Sequence, residues 1–129
     1  MSVDVIHVVS RMHPFERLDA WQLSHRQTIR VYKVTRGFPD DERYGLTAQL
    51  RRSAASVSAN IAEGSVSSSK KEFLRYLGIA KKSLNEVAHW YILARDIEYL
   101  SKDLWKELNA FNHRVGRVIW ALQNHLGGS

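Results

Sequence analysis

The residues with the clearest spacing for chemistry are a carboxylate and an imidazole one helical turn apart, Glu86 and His89. An E-x-x-H spacing places both side chains on one face of a helix, which is the ligand pattern of di-iron bundles. Such a site needs two of these pairs and a Glu from each of two further helices, whereas this sequence contains one pair. Glu63 could add one carboxylate, but the ligand set stays incomplete. We therefore predict no metal site.

Other catalytic patterns are missing from the sequence. It contains no cysteine, which excludes thiol nucleophiles, thiolate metal sites and disulfides. It has no G-x-S-x-G nucleophile elbow and neither of the glycine-rich loops that hold phosphates. We therefore predict that the protein is not an enzyme and uses no cofactor.

Basic residues indicate a function more strongly. The net charge is +6 and the pI about 9.8, which favours a polyanionic partner such as RNA or DNA. Lys and Arg contact phosphates without reading sequence, so we expect no sharp base specificity. The predicted nucleic-acid-binding residues are Arg26, Arg30, Lys33, Arg51, Arg52, Lys70, Lys71, Arg75, Lys81, Lys82, Arg114 and Arg117.

Two other interpretations of the charge remain open. These cations could lie on solvated helix faces, or they could dock an acidic protein, so that the chain is a protein–protein scaffold with no direct nucleic-acid role. Aromatic residues do not alternate with the cations as a base-stacking platform requires. The four tryptophans, at positions 21, 90, 105 and 120, are expected in the core or at an interface.

Four helices must position these residues. The apolar periodicity predicts a first helix from about Asp19 to Arg36 and a second from about Asp41 to Glu63. We expect Arg51 and Arg52 of the second helix to share a basic surface with the third. The third begins at a Ser69 capping box and the fourth after Ser101. Short connections favour an all-α, antiparallel up-down-up-down four-helix bundle. Residues 1–14 are predicted to be a flexible N-terminal arm, 15–126 the bundle domain and 127–129 a tail.

The spacing of apolar residues predicts the buried faces. The expected face of the first helix is Leu18, Trp21, His25, Thr28, Tyr32 and Thr35, with Ile29 beside it. The third helix carries a heptad stripe of Phe73, Leu77, Ala80, Leu84, Val87, Tyr91 and Ala94. Its second half is apolar on nearly all sides, so we predict a subunit interface at Trp90, Leu93 and Ile97. Gly78 and Gly116 lie inside helices and are expected to allow close helix approach.

Two stretches resemble a known family. One is Phe38-Pro39-x-x-Glu42-Arg43-Tyr44-Gly45-Leu46-x-x-Gln49-Leu50-Arg51-Arg52, followed by Ala59-Asn60-Ile61-Ala62-Glu63-Gly64. The other is Lys71-Glu72-Phe73-Leu74-Arg75-Tyr76-Leu77-x-Ile79-Ala80-Lys81-x-Ser83-Leu84-x-Glu86. Both are similar to the bacterial four-helix-bundle family whose founding members are encoded in intervening sequences of 23S ribosomal RNA genes. The similarity covers about Leu18 to Leu126.

The resemblance implies a four-helix bundle that assembles as a ring-like homopentamer. The same superfamily includes the accessory variability determinant of diversity-generating retroelements, a basic pentamer that binds a reverse transcriptase and its template RNA. It implies no catalytic residues. No apolar run approaches the roughly 20 residues that span a bilayer, and the start lacks a signal-peptide pattern, so we expect a cytoplasmic protein without a membrane partner.

Overall fold

The computed structural model describes residues 13–127, and these residues form only helices and turns. Four α-helices follow one another along the chain: α1 at Asp19–Thr35, α2 at Leu46–Ser65, α3 at Lys70–Asp96 and α4 at Lys102–His125. Short 3-10 helices at Pro14–Arg17 and Asp40–Glu42 precede α1 and α2. The all-α, four-helix prediction is confirmed. Most of the predicted arm, 1–14, and tail, 127–129, lies outside the described residues.

Side-chain contacts show that neighbouring helices run antiparallel. Arg52 on α2 contacts Glu86 on α3, whereas Ser56, further along α2, contacts Ser83, which comes earlier on α3. In the other pairs of neighbouring helices too, residues that come later on one helix contact residues that come earlier on the other. α1 contacts α2, α2 contacts α3, α3 contacts α4, and α4 returns to α1. The four helices therefore enclose one interior as an up-down-up-down bundle. None of the helices in residues 13–127 is both long enough and apolar enough to cross a membrane.

The interior contains two apolar clusters, one that includes Leu50 and one that includes Ile61. A polar layer separates them on α1 and α4, where Gln27 and Asn112 are buried. Gln27 Nε2 donates to Asn112 Oδ1 at 2.8 Å, and Asn112 Nδ2 donates to the Leu84 carbonyl at 3.3 Å. A buried amide left without a partner costs about 1–3 kcal/mol. The layer therefore favours one register of α1, α3 and α4.

The buried face of α1 is not the predicted one. The buried residues are Ala20, Leu23, Ser24, Gln27, Val31 and Thr35. His25, Ile29 and Tyr32, which we expected on or beside the core face, are exposed. Three of the buried residues, Ser24, Gln27 and Thr35, are polar, and Thr35 alone among them lies on the predicted face, so apolar spacing indicated the neighbouring face. Trp21 and His25 on that face stack on each other, with ring centroids 4.5 Å apart.

Serine caps begin α3 and α4 as predicted. Ser69 Oγ accepts from the Glu72 amide and Ser101 Oγ from the Leu104 amide, both at 3.1 Å. The Glu72 carboxylate does not complete the predicted capping box, because it accepts two hydrogen bonds from Arg75, at 2.7 and 3.1 Å.

The second helix starts later than predicted, at Leu46 and not near Asp41. The acidic residues before it form a 3-10 turn, whose last residue, Glu42, accepts from the Leu46 amide at 3.2 Å. The other carboxylate oxygen of Glu42 accepts from the Tyr99 hydroxyl at 3.0 Å. Glu42 therefore caps α2 and attaches the α1–α2 connection to the α3–α4 connection.

Gly64 is a point of close helix approach that the sequence analysis did not predict. It is buried within α2, and a Cβ there would lie 2.8 Å from Tyr76 Cβ and 2.9 Å from the Phe73 ring. The sequence predicts close helix approach at Gly78 and Gly116. This prediction is confirmed for Gly116, where a Cβ would lie 3.3 Å from Leu84 Cδ2. It is wrong for Gly78, where a Cβ would have no neighbour within 4 Å.

Candidate nucleic-acid interface

The outer surface of α3 presents most of the predicted cations. Lys71, Arg75 and Lys82 are exposed and are spaced to share one face. Lys70 and Lys81 are also exposed and lie on the side nearer α4. Arg75 differs from the lysines because it forms a salt bridge with Glu72 at 2.7 Å. The hydrogen bond from that guanidinium lowers the pKa of the Glu72 carboxyl below its usual value. The two opposite charges partly cancel, so Arg75 contributes less positive potential than the lysines do.

A groove between α3 and α4 brings two predicted cations, Lys81 and Arg117, to one place. Its volume is about 340 Å³. Besides these two cations, its walls are formed by Asn85 and Ala88 of α3 and by His113, Gly116 and Trp120 of α4. We call these seven residues the α3–α4 groove. It combines positive charge, hydrogen-bonding side chains and one large aromatic ring.

Packed side chains hold the floor of the α3–α4 groove in place. Leu84 and Asn112 form this floor, and Asn112 belongs to the buried polar layer. Gly116 admits the Leu84 side chain, whose Cδ2 lies 3.3 Å from the Cβ position of that glycine. The floor of the groove thus belongs to the packed core.

Trp120, which the sequence places in the core or at an interface, is the main groove residue absent from the predicted nucleic-acid-binding set. It is 56% exposed and lies outside both core clusters, whereas Trp21, Trp90 and Trp105 are half-buried. The antiparallel pairing of α3 and α4 brings Trp120 to the level of Lys81, far from it in sequence. Asn85 and His113 were missed for the same reason. The one feature of the local sequence that pointed to Trp120 was the predicted cation Arg117, one helical turn before it on α4.

The predicted stripe on α1 meets α4. Arg26 and Arg114 both lie over the Phe111 ring, with their guanidinium carbons 5.7 and 5.9 Å from its centroid. Arg30 forms a salt bridge with Glu107 at 3.3 Å. Lys33 is exposed on the outer side of α1. The α1–α4 surface is therefore basic, but a carboxylate partly neutralises it.

The two arginines of α2 point to different helices. Arg52 forms a salt bridge with Glu86 of α3. Arg51 extends toward α1, where its Nε donates to Thr35 Oγ1 at 2.8 Å and its guanidinium lies 4.5 Å from the Tyr32 ring centroid. The expectation that both share a basic surface with α3 is therefore wrong for Arg51.

The E-x-x-H pair is engaged in packing. The Glu86 carboxylate contacts Arg52 and also accepts from Trp90 Nε1 at 3.1 Å. The His89 ring lies edge-on to Trp90, with centroids 4.7 Å apart. Residues 13–127 contain no group of three or more His, Cys, Asp or Glu side chains close enough to hold a metal ion.

The predicted interface residues lie in the last two turns of α3 and at its C-cap, Ile97. Leu93 is 37% and Ile97 is 41% exposed. They are one turn apart and share a face, with the half-buried Trp90 one turn earlier. Ile92, also 41% exposed, extends the apolar surface toward α4. The predicted nucleic-acid-binding cations of α3 thus lie before this apolar surface, although Arg95 lies beside it in the last turn.

Comparison with known proteins identifies a family and a similar fold. A family model described as 23S rRNA-intervening sequence protein matches residues 16–121. A crystal structure of a protein with unknown function, from the S23 ribosomal protein family of Bacteroides thetaiotaomicron VPI-5482, has the same fold with a TM-score of 0.74. The two chains are 22% identical over 80% of this chain and 96% of that chain. No curated protein matches the sequence.

Proposed function

The chain belongs to the 23S rRNA-intervening sequence protein family, and from this premise we propose that it binds RNA or an RNA–protein complex. It acts by binding and not by catalysis, in the cytoplasm, as a ring-like homo-oligomer, most specifically a pentamer. The sharpest version of the proposal is an accessory protein of a diversity-generating retroelement reverse transcriptase. Its support is the basic charge and the resemblance of the two sequence stretches described above.

The observation that carries the proposal is the α3–α4 groove. Lys81 and Arg117 come from different helices and flank one cavity, and neither forms a salt bridge with any residue of 13–127. Two free cations in one groove match two phosphates of a nucleic-acid strand. Trp120 offers a face on which an unpaired base can stack, and Asn85 and His113 can form hydrogen bonds with base edges or sugars.

A charge-matched pair of double variants tests the phosphate contacts. Lys81→Gln/Arg117→Gln removes two positive charges from the groove, and Lys102→Gln/Lys106→Gln removes two from exposed positions at the start of α4. Filter binding of a structured RNA with single-stranded loops, across a salt series, should show a severalfold loss of affinity for the groove variant. The slope of log K against log salt should become shallower by about 0.7 for each lost contact.

Two outcomes of this titration would contradict the proposal. Equal loss in the two double variants would mean that only net charge matters. RNA binding without a steep salt dependence in the wild-type protein would remove the nucleic-acid function itself.

Trp120 supports a second prediction, on base stacking. Trp120→Ala should weaken binding of a single-stranded RNA by about 1–3 kcal/mol, whereas Trp120→Phe should retain most of the affinity. The ring is exposed in the chain, so the melting temperature should change little. Equal affinities of the Ala and Phe variants would show that the ring does not stack on a base.

The scaffold alternative gives a different result in the same experiments. If the groove docks an acidic protein, Lys81→Gln/Arg117→Gln abolishes capture of that protein and leaves RNA affinity unchanged. Co-purification of the chain with a reverse transcriptase encoded beside it, dependent on template RNA, would support the retroelement version. A neighbouring ribosomal RNA gene without a reverse transcriptase would contradict it.

A further inference from the structure

Three arginines meet in a cavity at the α1–α2 connection, on the opposite side of the bundle from the α3–α4 groove. The cavity has a volume of about 380 Å³ and is lined by Arg36, Arg43 and Arg51 together with Thr35, Asp40 and Thr47. Pockets of about 300–1,000 Å³ are typical of small-molecule sites. We call this cavity the three-arginine pocket. Arg36 and Arg43 do not belong to the predicted nucleic-acid-binding set.

Hydrogen bonds orient one of the three guanidiniums. Arg51 Nε donates to Thr35 Oγ1 at 2.8 Å, and Nη2 donates to the Tyr32 carbonyl at 3.3 Å. The guanidinium also stacks over the Tyr32 ring at 4.5 Å. These contacts leave Nη1 without a hydrogen-bond partner among residues 13–127. Arg51 is therefore held in position with donors still available.

The connection that forms the pocket wall is attached to the rest of the bundle. The Phe38 side chain is buried and lies against Tyr99, with ring centroids 5.3 Å apart. Tyr99 in turn donates to Glu42 at 3.0 Å. Arg36 and Arg43 lie on either side of this attached segment, so their backbones are fixed relative to Arg51.

The charges in the pocket are not balanced. Asp40 is the one carboxylate among the lining residues, which leaves an excess of two positive charges. None of the salt bridges in residues 13–127 involves the three arginines or Asp40. Guanidinium groups held together repel one another, and an anion with several oxygens relieves that repulsion through bidentate hydrogen bonds. The nearby Glu42 carboxylate does not line the pocket, because it accepts from the Leu46 amide and the Tyr99 hydroxyl.

From this arrangement we propose that the three-arginine pocket binds a terminal phosphate, the phosphomonoester group of a nucleotide. A monoester carries close to two negative charges at neutral pH, which matches the charge excess, whereas a diester within a nucleic-acid backbone carries one. The cavity has room for a sugar beside the phosphate. The group could come from a free nucleotide or from the phosphorylated end of an RNA chain. The proposal does not depend on the function of the α3–α4 groove.

Calorimetry with adenosine 5′-monophosphate tests the pocket directly. The nucleotide should bind, and adenosine should bind at least tenfold more weakly. Arg36→Gln/Arg43→Gln should weaken nucleotide binding at least tenfold, while the charge-matched control Lys102→Gln/Lys106→Gln should not. Asp40→Asn should tighten binding severalfold. Arg36 and Arg43 are exposed, so these variants leave the core intact, unlike Arg51→Gln, which breaks contacts with α1.

A second arm identifies the source of the phosphate. A short RNA with a 5′-phosphate is compared with the same RNA carrying a 5′-hydroxyl. At least tenfold preference for the phosphorylated RNA, lost in Arg36→Gln/Arg43→Gln, identifies an RNA end. Nucleotide binding without that preference identifies a free nucleotide. Equal binding of the nucleotide and adenosine, together with no preference between the two RNAs, would overturn the proposal. The RNA affinity of Lys81→Gln/Arg117→Gln tests the α3–α4 groove independently of this result.

Discussion

At the scale of single residues, the nearest partner decides whether a charge is available to a ligand. Arg30, Arg52 and Arg75 were all predicted to bind nucleic acid, yet each contacts a carboxylate. Exposed salt bridges of this kind contribute only about 0–1 kcal/mol to stability, but they reduce the positive potential that a phosphate meets. Lys81 and Lys82 have no such partner within residues 13–127. The sequence identified the cations, whereas their pairing depends on helix packing.

Tyr91 supports a prediction about alkaline pH. It is 1% exposed, and its hydroxyl has no hydrogen-bond partner of standard geometry among residues 13–127. Burial raises the pKa of the Tyr91 hydroxyl above its ordinary value of 10.0, while the charge of Arg30 and the nearby Gln27 side chain lower it by less. The folded state therefore keeps this proton at pH values where the unfolded chain loses it. Stability should fall as the pH rises above about 10.

Urea unfolding at about pH 8 and about pH 11 measures this effect. Tyr91→Phe should lose less of its free energy of unfolding between the two pH values than the wild-type protein does. Tyr44→Phe is the control, because Tyr44 is 88% exposed, and it should behave as the wild type. Tyr99, whose pKa is raised by its hydrogen bond to Glu42, contributes equally to all three proteins. The same loss in Tyr91→Phe and wild type would contradict the burial argument.

At the scale of helices, periodicity predicted the buried face of α3 and failed on α1. The α3 stripe from Leu77 to Ala94 is buried as predicted, because every residue on it is apolar. On α1 the core face contains Ser24 and Gln27, and Gln27 Nε2 donates to Asn112 on α4. A hydrogen bond between residues so distant in sequence leaves no periodic signal. Buried polar residues are therefore where the sequence was least able to predict the packing.

Two glycines inside helices give opposite predictions for the same substitution. Gly64→Ala would place a Cβ 2.8 Å from Tyr76 Cβ, so α2 and α3 must separate. We expect a loss of about 1–3 kcal/mol in the free energy of unfolding. Gly78→Ala meets nothing within 4 Å, and alanine favours the helix by about 1 kcal/mol over glycine, so this variant should be more stable than the wild type.

Denaturant unfolding of the two variants side by side checks these values, with circular dichroism to confirm equal helix content. Stabilisation by Gly64→Ala would show that the two helices are not in contact at this point. Destabilisation by Gly78→Ala would show that its outer face is covered by another molecule, for instance by a second copy of the chain in an oligomer.

At the scale of the whole molecule, folding separates basic residues that are adjacent in sequence and joins others that are distant. Arg51 and Arg52 are neighbours in the chain, but one lines the three-arginine pocket beside α1 and the other pairs with α3. Lys81 and Trp120 come together in the α3–α4 groove only because α3 and α4 are antiparallel. The motifs therefore predicted the four-helix fold, whereas both candidate binding sites required the packed structure.

The exposed apolar residues on α3 carry the prediction about assembly. Leu93 and Ile97 are 37% and 41% exposed on one face, and contiguous exposed apolar surface is typical of a protein–protein interface. If they lie between subunits, a buried aspartate at either position is strongly unfavourable. Leu93→Asp and Ile97→Asp should each convert a wild-type oligomer into monomers that keep their helix content, measured by light scattering and circular dichroism.

Ile29→Asp is the matched control, because Ile29 is equally exposed, at 42%, but lies on α1, and it should leave the oligomer intact. A monomeric wild-type protein, or an oligomer that survives both α3 substitutions, would remove the interface role of Trp90, Leu93 and Ile97, and RNA would then have to bind a single bundle through the α3–α4 groove.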